Sequence, residues 1–281
     1  MKRLQNRGLT SYDLKWIGMI LMIFDHIHYF FGFTDQIPEW FSMAGRLSAP
    51  LFLFCLAEGF HYTHDRKKYF QRVYLIHLLM SGLLFLTLCG IIPARPDGFY
   101  PMNGMMGTFV ILMPIFQGID WLREKRWGRG SVAVILPLVW PLLARMLMQG
   151  VPVLQFPLAA VGYTVLPMWN STPDSGFPII VTGILLYLFR RNRKVQAGAF
   201  SGFTLLYYIG LMGSMVSRLP DFRWTQMFTV YYEWYGVFAA VLMLCYNGKR
   251  GNGSKMLFYA FYPAHIYILY VLSCPLHFYP E

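Results

Sequence analysis

Ionisable side chains lie inside the long apolar segments of this 281-residue sequence. A charged group near the centre of a membrane costs roughly 3 kcal/mol on insertion scales, so such residues are candidates for catalysis or ligand binding by default. The first segment carries Asp25 and His26 side by side, and the second carries Arg46. The ionisable residues singled out on this ground are Asp25, His26, His28, Arg46, Glu58, Arg145, Glu233 and His265.

Four of these residues are expected at a similar depth in the membrane. Helical rise places His26 about 16–21 Å and Arg145 about 20 Å from the cytoplasmic ends of their segments. Counted from the opposite side, Arg46 and Glu233 lie about 8–10 Å below the external ends. In a hydrocarbon core about 30 Å thick, all four fall in the outer half. The sequence therefore predicts a shared polar cavity, in which Asp25 and Glu233 would balance the two arginines.

A structural role is open for the same residues. Arg46–Glu233 or Arg145–Asp25 could be ion pairs that hold helices in register, since polar groups bridge membrane helices. Neighbours on a helix project about 100° apart, so Asp25 and the histidine that follows it cannot both face one point. Asp25 and His28, three residues apart, share a helix face better.

A metal site is the other chemistry that the spacing suggests. Glu58 and His61 stand three residues apart, as in the Glu-x-x-His motif of carboxylate-bridged metal sites, and His64 and Asp65 follow. The sequence contains one such motif, at the cytoplasmic edge of its apolar segment. Ordinary interfacial polarity is the favoured interpretation, and no metal is predicted.

The elements that carry these residues are predicted to be membrane-spanning helices. The chain is 56% hydrophobic and 13% charged, about half the charged fraction of a soluble domain. Since a span needs about 20 mostly apolar residues, the sequence predicts an all-α, polytopic helical bundle, a single integral membrane domain over residues 1–281. Eight blocks have sufficient length, at 14–33, 41–60, 73–92, 105–122, 132–148, 200–216, 227–246 and 256–274, and a ninth, 177–189, is shorter.

The distribution of charge predicts the orientation. The formal net charge is +11, and Lys and Arg concentrate at residues 2–15, 66–72, 123–129, 190–194 and 249–255, which are every second connection. Cytoplasmic loops of membrane proteins collect basic residues in this way. We therefore expect a cytoplasmic N-terminus, with the first block a retained anchor, in a bacterial cytoplasmic (inner) membrane. The basic charge does not indicate a nucleic-acid partner.

One apolar segment disturbs the alternation of the basic clusters. Residues 151–169 are interrupted by Pro152, Pro157 and Pro167. If this segment crossed the membrane, the cluster at 190–194 would lie outside. We therefore interpret it as re-entrant or surface-lying, since irregular backbone at membrane depth needs protein or a wet cavity around it. The prediction is nine spans with an external C-terminus, and ten spans is the alternative.

Motifs near both ends of the sequence carry a resemblance to a known family. They are Leu14-Lys15-Trp16, Met22-Ile23-Phe24-Asp25-His26-Ile27, Gly45-Arg46-Leu47-Ser48-Ala49-Pro50-Leu51-Phe52, Ala57-Glu58-Gly59-Phe60, Tyr69-Phe70-Gln71-Arg72, Tyr246-Asn247-Gly248-Lys249-Arg250-Gly251 and Phe258-Tyr259-Ala260-Phe261-Tyr262-Pro263-Ala264-His265. In this order they resemble the TraX family of conjugal-transfer proteins. The middle of the chain is generic apolar sequence.

The resemblance implies an enzyme, because the family prototype acetylates the N-terminus of conjugative pilin. Acetyl transfer from acetyl-CoA to an amine or hydroxyl needs a base and a donor that stabilises the oxyanion. His26 is the expected base, and Asp25 would tune it. Arg46 would stabilise the oxyanion or bind a carboxylate of the acceptor. His265, about 15 Å into the last span, is the second candidate base.

The donor acetyl-CoA would bind on the cytoplasmic side, where its phosphates need cations. Arg72, Lys249, Arg250 and Lys255 are the expected partners, and the glycines around Lys249 would let backbone amides approach phosphate. A fainter resemblance is to membrane acyltransferases with an Arg-x10-His signature. Here Lys15 stands eleven residues before His26, in place of the arginine of that signature. Lysine keeps the positive charge but lacks the planar guanidinium group that binds two oxygens at once. The other candidate binding residues are Glu58, Arg145, Glu233 and Asn247.

Two further functions are open. A transporter would fit the buried charges, but such folds usually contain paired repeats, and the sequence shows no second Asp-His motif. A non-enzymatic factor for conjugation or pilus assembly would use the polar residues only to hold helices together. For an enzyme, the acceptor could be a pilin-like N-terminus, another peptide, or an envelope glycan or lipid.

Overall fold

The computed structural model describes residues 8–102, 104–170, 176–218, 221–253 and 255–276. The basic residues at 2–7 and the side chain of Lys255 lie outside this description. The described residues form helices, and the one β-bridge among them joins Leu9 to Tyr246. The all-α prediction is therefore confirmed.

The helices begin and end close to the apolar blocks of the sequence. The α-helices are α1 (Ser11–Phe31), α2 (Trp40–Gly45), α3 (Ser48–Tyr62), α4 (Arg66–Leu88), α5 (Met105–Arg123), α6 (Trp127–Gly150), α7 (Gln155–Thr164), α8 (Phe177–Leu188), α9 (Arg193–Arg218), α10 (Ala239–Leu244) and α11 (Lys255–Leu276). Short 3-10 helices cover Gly32–Thr34, Pro152–Leu154, Trp224–Met227 and Tyr232–Phe238.

Seven helical stretches among the described residues are long and apolar enough to cross a membrane. They are α1, the broken pair α2–α3, α4, α5, α6, α9 and α11. This number of apolar helices makes the chain an integral membrane protein. Two further apolar helical stretches, Phe177–Leu188 and Tyr232–Leu244, are shorter.

The block at 227–246 does not form the full-length spanning helix that its hydropathy predicts. The chain there runs through the 3-10 helix Tyr232–Phe238 into the six-residue helix α10. At the rises of the two helix types this stretch is about 23 Å long, against a membrane core of about 30 Å. The stretch is apolar, as the sequence predicts, but composition does not distinguish a 3-10 helix from an α-helix.

The proline-rich segment at 151–169 contains α7, which is only 10 residues long. Such a helix measures about 15 Å and is too short to cross the membrane. Side chains of neighbouring helices donate to three successive carbonyl oxygens at its C-terminal end. Ser81 Oγ donates to Thr164 O (3.3 Å), Tyr74 Oη to Val165 O (3.0 Å) and Trp140 Nε1 to Leu166 O (3.2 Å).

The chain forms two compact units. The first contains Met1–Glu58 and Leu185–Phe258, and the second contains Gly59–Ile184 and Tyr259–Glu281. In the second unit the buried helix α5 packs against α6, where a Cβ atom at Gly118 would lie 2.9 Å from the carbonyl oxygen of Gly130. Small residues at helix crossings allow this close approach in membrane proteins.

Candidate functional site

The first unit holds an ion pair at a break between two helices. Because α2 ends at Gly45 and α3 begins at Ser48, Arg46 lies in the turn between them. Arg46 Nη2 lies 3.0 Å from Oδ1 of Asp25 on α1. A Cβ atom at position 45 would lie 2.6 Å from Cγ of Asp25. Glycine at this position therefore lets α1 and α2 bring the pair together.

Ser42 of α2 orders the pair. Its hydroxyl donates to Asp25 Oδ1 at 3.1 Å and accepts from Arg46 Nη2 at 2.6 Å. Its carbonyl oxygen accepts from Arg46 Nε at 3.3 Å. Since the Ser42 side chain is buried, these contacts fix one edge of the guanidinium group.

The 3-10 helix Tyr232–Phe238 packs against the same turn. The guanidinium carbon of Arg46 lies 5.7 Å from the centre of the Tyr232 ring, and Tyr232 Oη donates to Glu39 Oε2 at 3.3 Å. A Cβ atom at Gly236 would lie 3.2 Å from the carbonyl oxygen of Arg46. A 3-10 run of seven residues is unusually long, and such segments often mark functional positions.

His26 follows Asp25 on α1 and is buried. Its ring centre lies 6.2 Å from that of Tyr29 and 6.1 Å from that of Phe30, within range of aromatic contact.

The structure settles which ion pair forms in the first unit. Arg46 pairs with Asp25, whereas the alternative Arg46–Glu233 pair is not found among the described residues. Glu233 follows Tyr232 and is half-buried in the 3-10 helix. Arg145 lies on an exposed side of α6, in the second unit.

His265, the second candidate base, belongs to α11 in the second unit. It is buried, its ring stacks on Phe261 at 4.6 Å, and Nδ1 lies 2.8 Å from the carbonyl oxygen of Phe261. A contact with the carbonyl four residues earlier requires a proton on Nδ1, which leaves Nε2 as the acceptor in the neutral ring.

The motif at 246–251 pairs with the residues that precede and begin α1. Leu9 donates its N–H to Cys245 O and accepts from Asn247 N, both at 2.9 Å. Asn247 Nδ2 donates to Gly8 O at 2.8 Å. The first amides of α1 donate to the carbonyl oxygens of Lys249 (2.9 Å) and Arg250 (3.0 Å). These bonds hold the segment in place and leave the side chains of Lys249 and Arg250 exposed.

Two glycines that follow Arg250 allow close approach within the chain, whereas a Cβ atom at Gly248 would meet nothing within 4 Å. Gly251 has a φ of +77°, and a side chain there would collide with Thr10. A side chain at Gly253 would collide with the ring of Tyr12. The close approach is thus between two parts of the chain. The approach of phosphate to the backbone beside Lys249 stays a prediction, since Gly248 is open to it.

Glu58 has a partner within the chain. Its two carboxylate oxygens accept from Arg193 Nη1 (3.1 Å) and Nη2 (3.0 Å). The Arg193 guanidinium carbon lies 4.6 Å from the Phe54 ring centre and 4.8 Å from that of Tyr246. Glu58 therefore positions the motif that begins at Tyr246.

Two other predicted cationic partners lie in the described part of the chain. Lys15 Nζ lies 5.3 Å from the centre of the Phe258 ring. Arg72 is exposed on α4, in the second unit. Among the described residues, no group of three or more His, Cys, Asp or Glu side chains is arranged to hold a metal ion.

Sequence reasoning missed three residues of these clusters and one buried residue of the second unit. Ser42 and Tyr232 lack charge, so neither stands out in an apolar segment. Arg193 was hidden in a basic loop cluster. His77 of α4 is buried beside Gly107, and no described residue partners its Nε2 atom. A histidine within an apolar block was the available signal.

Comparison with known proteins decides the family. The family model described as TraX protein matches residues 11–273. The chain belongs to the TraX family. It is similar to the probable fimbrial assembly protein FimC, serogroup H1, of Dichelobacter nodosus, with 28% identity over 276 residues that cover 94% of this chain and 96% of that protein. No solved structure matches it. The Asp25–Arg46 pair and the 246–251 motif both fall inside the TraX match.

Proposed function

We propose that this TraX-family protein transfers an acetyl group from cytoplasmic acetyl-CoA to an amine or hydroxyl acceptor during pilus or fimbria assembly. The observation that carries the proposal is Arg46, which Asp25 and Ser42 hold beside the helix that bears the buried His26. The name of the Dichelobacter nodosus relative, a fimbrial assembly protein, supports the biological setting.

The chemistry follows from these groups. The acceptor N–H or O–H gives its proton to the imidazole of His26 as the acceptor atom bonds to the acetyl carbonyl carbon. Arg46 stabilises the oxyanion that develops on the carbonyl oxygen. The C–S bond then breaks, and the imidazolium returns the proton to the CoA thiolate.

The donor is proposed to bind at the ordered 246–251 motif. Lys249 and Arg250 are exposed cations on the segment 245–250, which five hydrogen bonds to residues 8–12 hold in place. Because the backbone is already held, only the two side chains lose conformational entropy when they bind phosphate. The proposed topology has nine crossings and a cytoplasmic N-terminus, which puts this motif on the side where acetyl-CoA is found.

Calorimetry of acetyl-CoA binding in nanodiscs tests the donor site. Wild type is expected to bind, Lys249→Ala/Arg250→Ala to bind at least about tenfold more weakly, and His26→Ala to bind normally while acetyl transfer is lost. Arg126→Ala/Arg129→Ala removes two exposed cations from another basic cluster and is the matched control. A folded wild type that shows no binding at millimolar acetyl-CoA would overturn the acetyltransferase proposal.

A non-enzymatic assembly factor is the second candidate, and the relative's name favours it equally. The two functions differ in what His26→Ala does in cells. An enzyme would lose acetylation of its acceptor, measured by mass spectrometry, while the variant is still present in the membrane. A scaffold would support assembly with His26→Ala and fail only when helix packing is disturbed.

A further inference from the structure

Arg193, the first residue of α9, lies at the centre of a buried contact network in the first unit. Its Nη1 and Nη2 atoms donate to the two carboxylate oxygens of Glu58 on α3, at 3.1 Å and 3.0 Å. Nη1 also donates to Oε1 of Gln196, which is fully buried and donates from its own Nε2 to Leu186 O at 2.7 Å. Because the Glu58 side chain is only 4% exposed, these bonds fix the guanidinium group to α3, α8 and α9.

The side chain of Tyr246 lies against this fixed guanidinium group. The guanidinium carbon of Arg193 is 4.8 Å from the centre of the Tyr246 ring and 4.6 Å from that of the Phe54 ring. The two rings meet edge to face, with their centres 5.4 Å apart. A guanidinium group over an aromatic ring is attracted by the ring quadrupole, and more strongly where water is excluded. Through this contact, Tyr246 anchors the start of the 246–251 motif to the helices.

The backbone of Tyr246 is held from another side. Tyr246 pairs with Leu9 in the β-bridge, and the residues on either side of Tyr246 exchange two hydrogen bonds with Leu9, both at 2.9 Å. Two residues later along the chain, the side-chain oxygen of Asn247 accepts from Lys249 N at 2.9 Å. Tyr246 therefore connects the buried Arg193 network to the backbone that presents the two exposed cations of the motif.

The charge of Arg193 is already balanced. Both end nitrogens bond to Glu58, whose negative charge would repel a phosphate brought to the same guanidinium group. We propose that Arg193 is a positioning residue, which holds residues 246–251 in place through the Tyr246 ring and thereby sets the affinity for acetyl-CoA. The assignment rests on the proposed donor site, where a disordered backbone would have to lose its freedom when acetyl-CoA binds.

The second unit contains a network of the same chemistry, which supplies a matched control. Arg66, the first residue of α4, bonds to Asp120 Oδ2 and to Gln117 Oε1, both at 2.9 Å. Its guanidinium carbon lies 4.7 Å from the centre of the Phe60 ring. Glu58→Gln and Asp120→Asn therefore remove one carboxylate charge from equivalent arginine networks, of which the first holds the proposed donor motif.

Amide hydrogen exchange of residues 245–251 in nanodiscs, without acetyl-CoA, tests the ordering. Arg193→Lys keeps the charge but loses the fork that bonds Glu58 and the planar group that stacks on Tyr246, so exchange should become about tenfold faster. Tyr246→Leu removes the ring, leaves every charge in place and should have the same effect. Tyr246→Phe keeps the ring and should restore most of the protection. Asp120→Asn should leave exchange in this segment unchanged.

Calorimetry and steady-state acetyl transfer test the consequence for the donor. Arg193→Lys and Glu58→Gln should each raise the Kd and the KM for acetyl-CoA by about tenfold and leave kcat within about twofold of wild type. The sign of the Glu58→Gln effect is decisive. If Arg193 bound a phosphate directly, loss of the competing carboxylate would strengthen the binding of acetyl-CoA. Asp120→Asn should change neither constant.

Thermal unfolding of each variant separates a loss of order in the motif from a loss of the whole fold. The proposal is overturned if Arg193→Lys and Tyr246→Leu leave exchange at 245–251 unchanged, or if folded Glu58→Gln binds acetyl-CoA at least as tightly as wild type. The exchange measurement needs no acetyl-CoA. A wild type that does not bind acetyl-CoA would therefore refute the proposed function, while faster exchange in Arg193→Lys would still support the ordering of the segment by Arg193.

Discussion

Two irregular segments of this protein place non-α backbone among apolar helices, and they are stabilised differently. In the second unit, the carbonyl oxygens at the end of α7 accept from uncharged side chains, the hydroxyls of Tyr74 and Ser81 and the indole of Trp140. In the first unit, the 3-10 helix Tyr232–Phe238 packs against the turn that holds the Asp25–Arg46 pair. The first arrangement satisfies backbone groups, as a membrane demands, and the second also positions charge.

The segment at α7 therefore has a structural role, whereas we expect the Tyr232–Phe238 helix to have a role in the chemistry. A substitution near α7 should lower stability and leave the activity of each folded molecule intact. A substitution near the Tyr232–Phe238 helix should lower activity more than stability.

Arg46→Lys is expected to reduce acetyl transfer by about 100-fold, the scale of losing one oxyanion donor. Lysine keeps the charge but lacks the planar fork that binds Ser42 on one edge and a ligand on the other. The rate of acetyl transfer and the unfolding temperature should be measured together. Arg126→Lys, on an exposed side chain, is the control. An unchanged rate of acetyl transfer in Arg46→Lys would show that the Asp25–Arg46 pair of the first unit takes no part in the chemistry.

Gly236→Ala is expected to lower acetyl transfer by about tenfold. The added Cβ atom would lie 3.2 Å from Arg46 O and 3.4 Å from Pro50 Cγ, so the 3-10 helix has to move away from the Arg46 turn. The control is Gly213→Ala on α9, where nothing lies within 4 Å of the added atom. Alanine there should raise helix stability by up to about 1 kcal/mol. Equal effects of the two substitutions would show that the contact with Arg46 is unimportant.

The sequence supports part of this picture for physical reasons. Apolar blocks locate most helices because burial in lipid demands them. Asp25 and Arg46 stand out because charge is rare in such blocks. Hydropathy could not anticipate the 3-10 geometry at 232–238. Nor could it reveal Ser42, because one hydroxyl in a span is unremarkable until its partners are known. The pairing of Arg46 with Asp25 depends on Gly45, and the sequence alone does not show that this glycine lies against Asp25.

Tyr74→Phe combined with Ser81→Ala is expected to lower the free energy of unfolding by about 1–2 kcal/mol. Most of the loss comes from Val165 O, because the shorter bond of Ser81 Oγ is to His77 O (2.6 Å) and its bond to Thr164 O is longer (3.3 Å). Both side chains donate to the end of α7, and lipid offers no replacement. Denaturant titration in mixed micelles measures the loss. Tyr62→Phe, at a highly exposed position, is the control. Loss of acetyl transfer per folded molecule, with stability unchanged, would assign chemistry to the second unit and reverse the comparison.

Gly162→Ala should have the smallest effect, although its surroundings look as crowded as those of Gly236. The added atom would collide with the side chain of Met168, whose end is flexible and unbranched and can move aside. At Gly236 the nearest atom is the backbone oxygen of Arg46, which cannot move aside as a side chain can. The free energy of unfolding of Gly162→Ala should therefore lie within about 1 kcal/mol of the wild-type value. A loss as large as that of the Tyr74/Ser81 double variant would mean that α7 is held by packing at Gly162 as firmly as by its three carbonyl contacts.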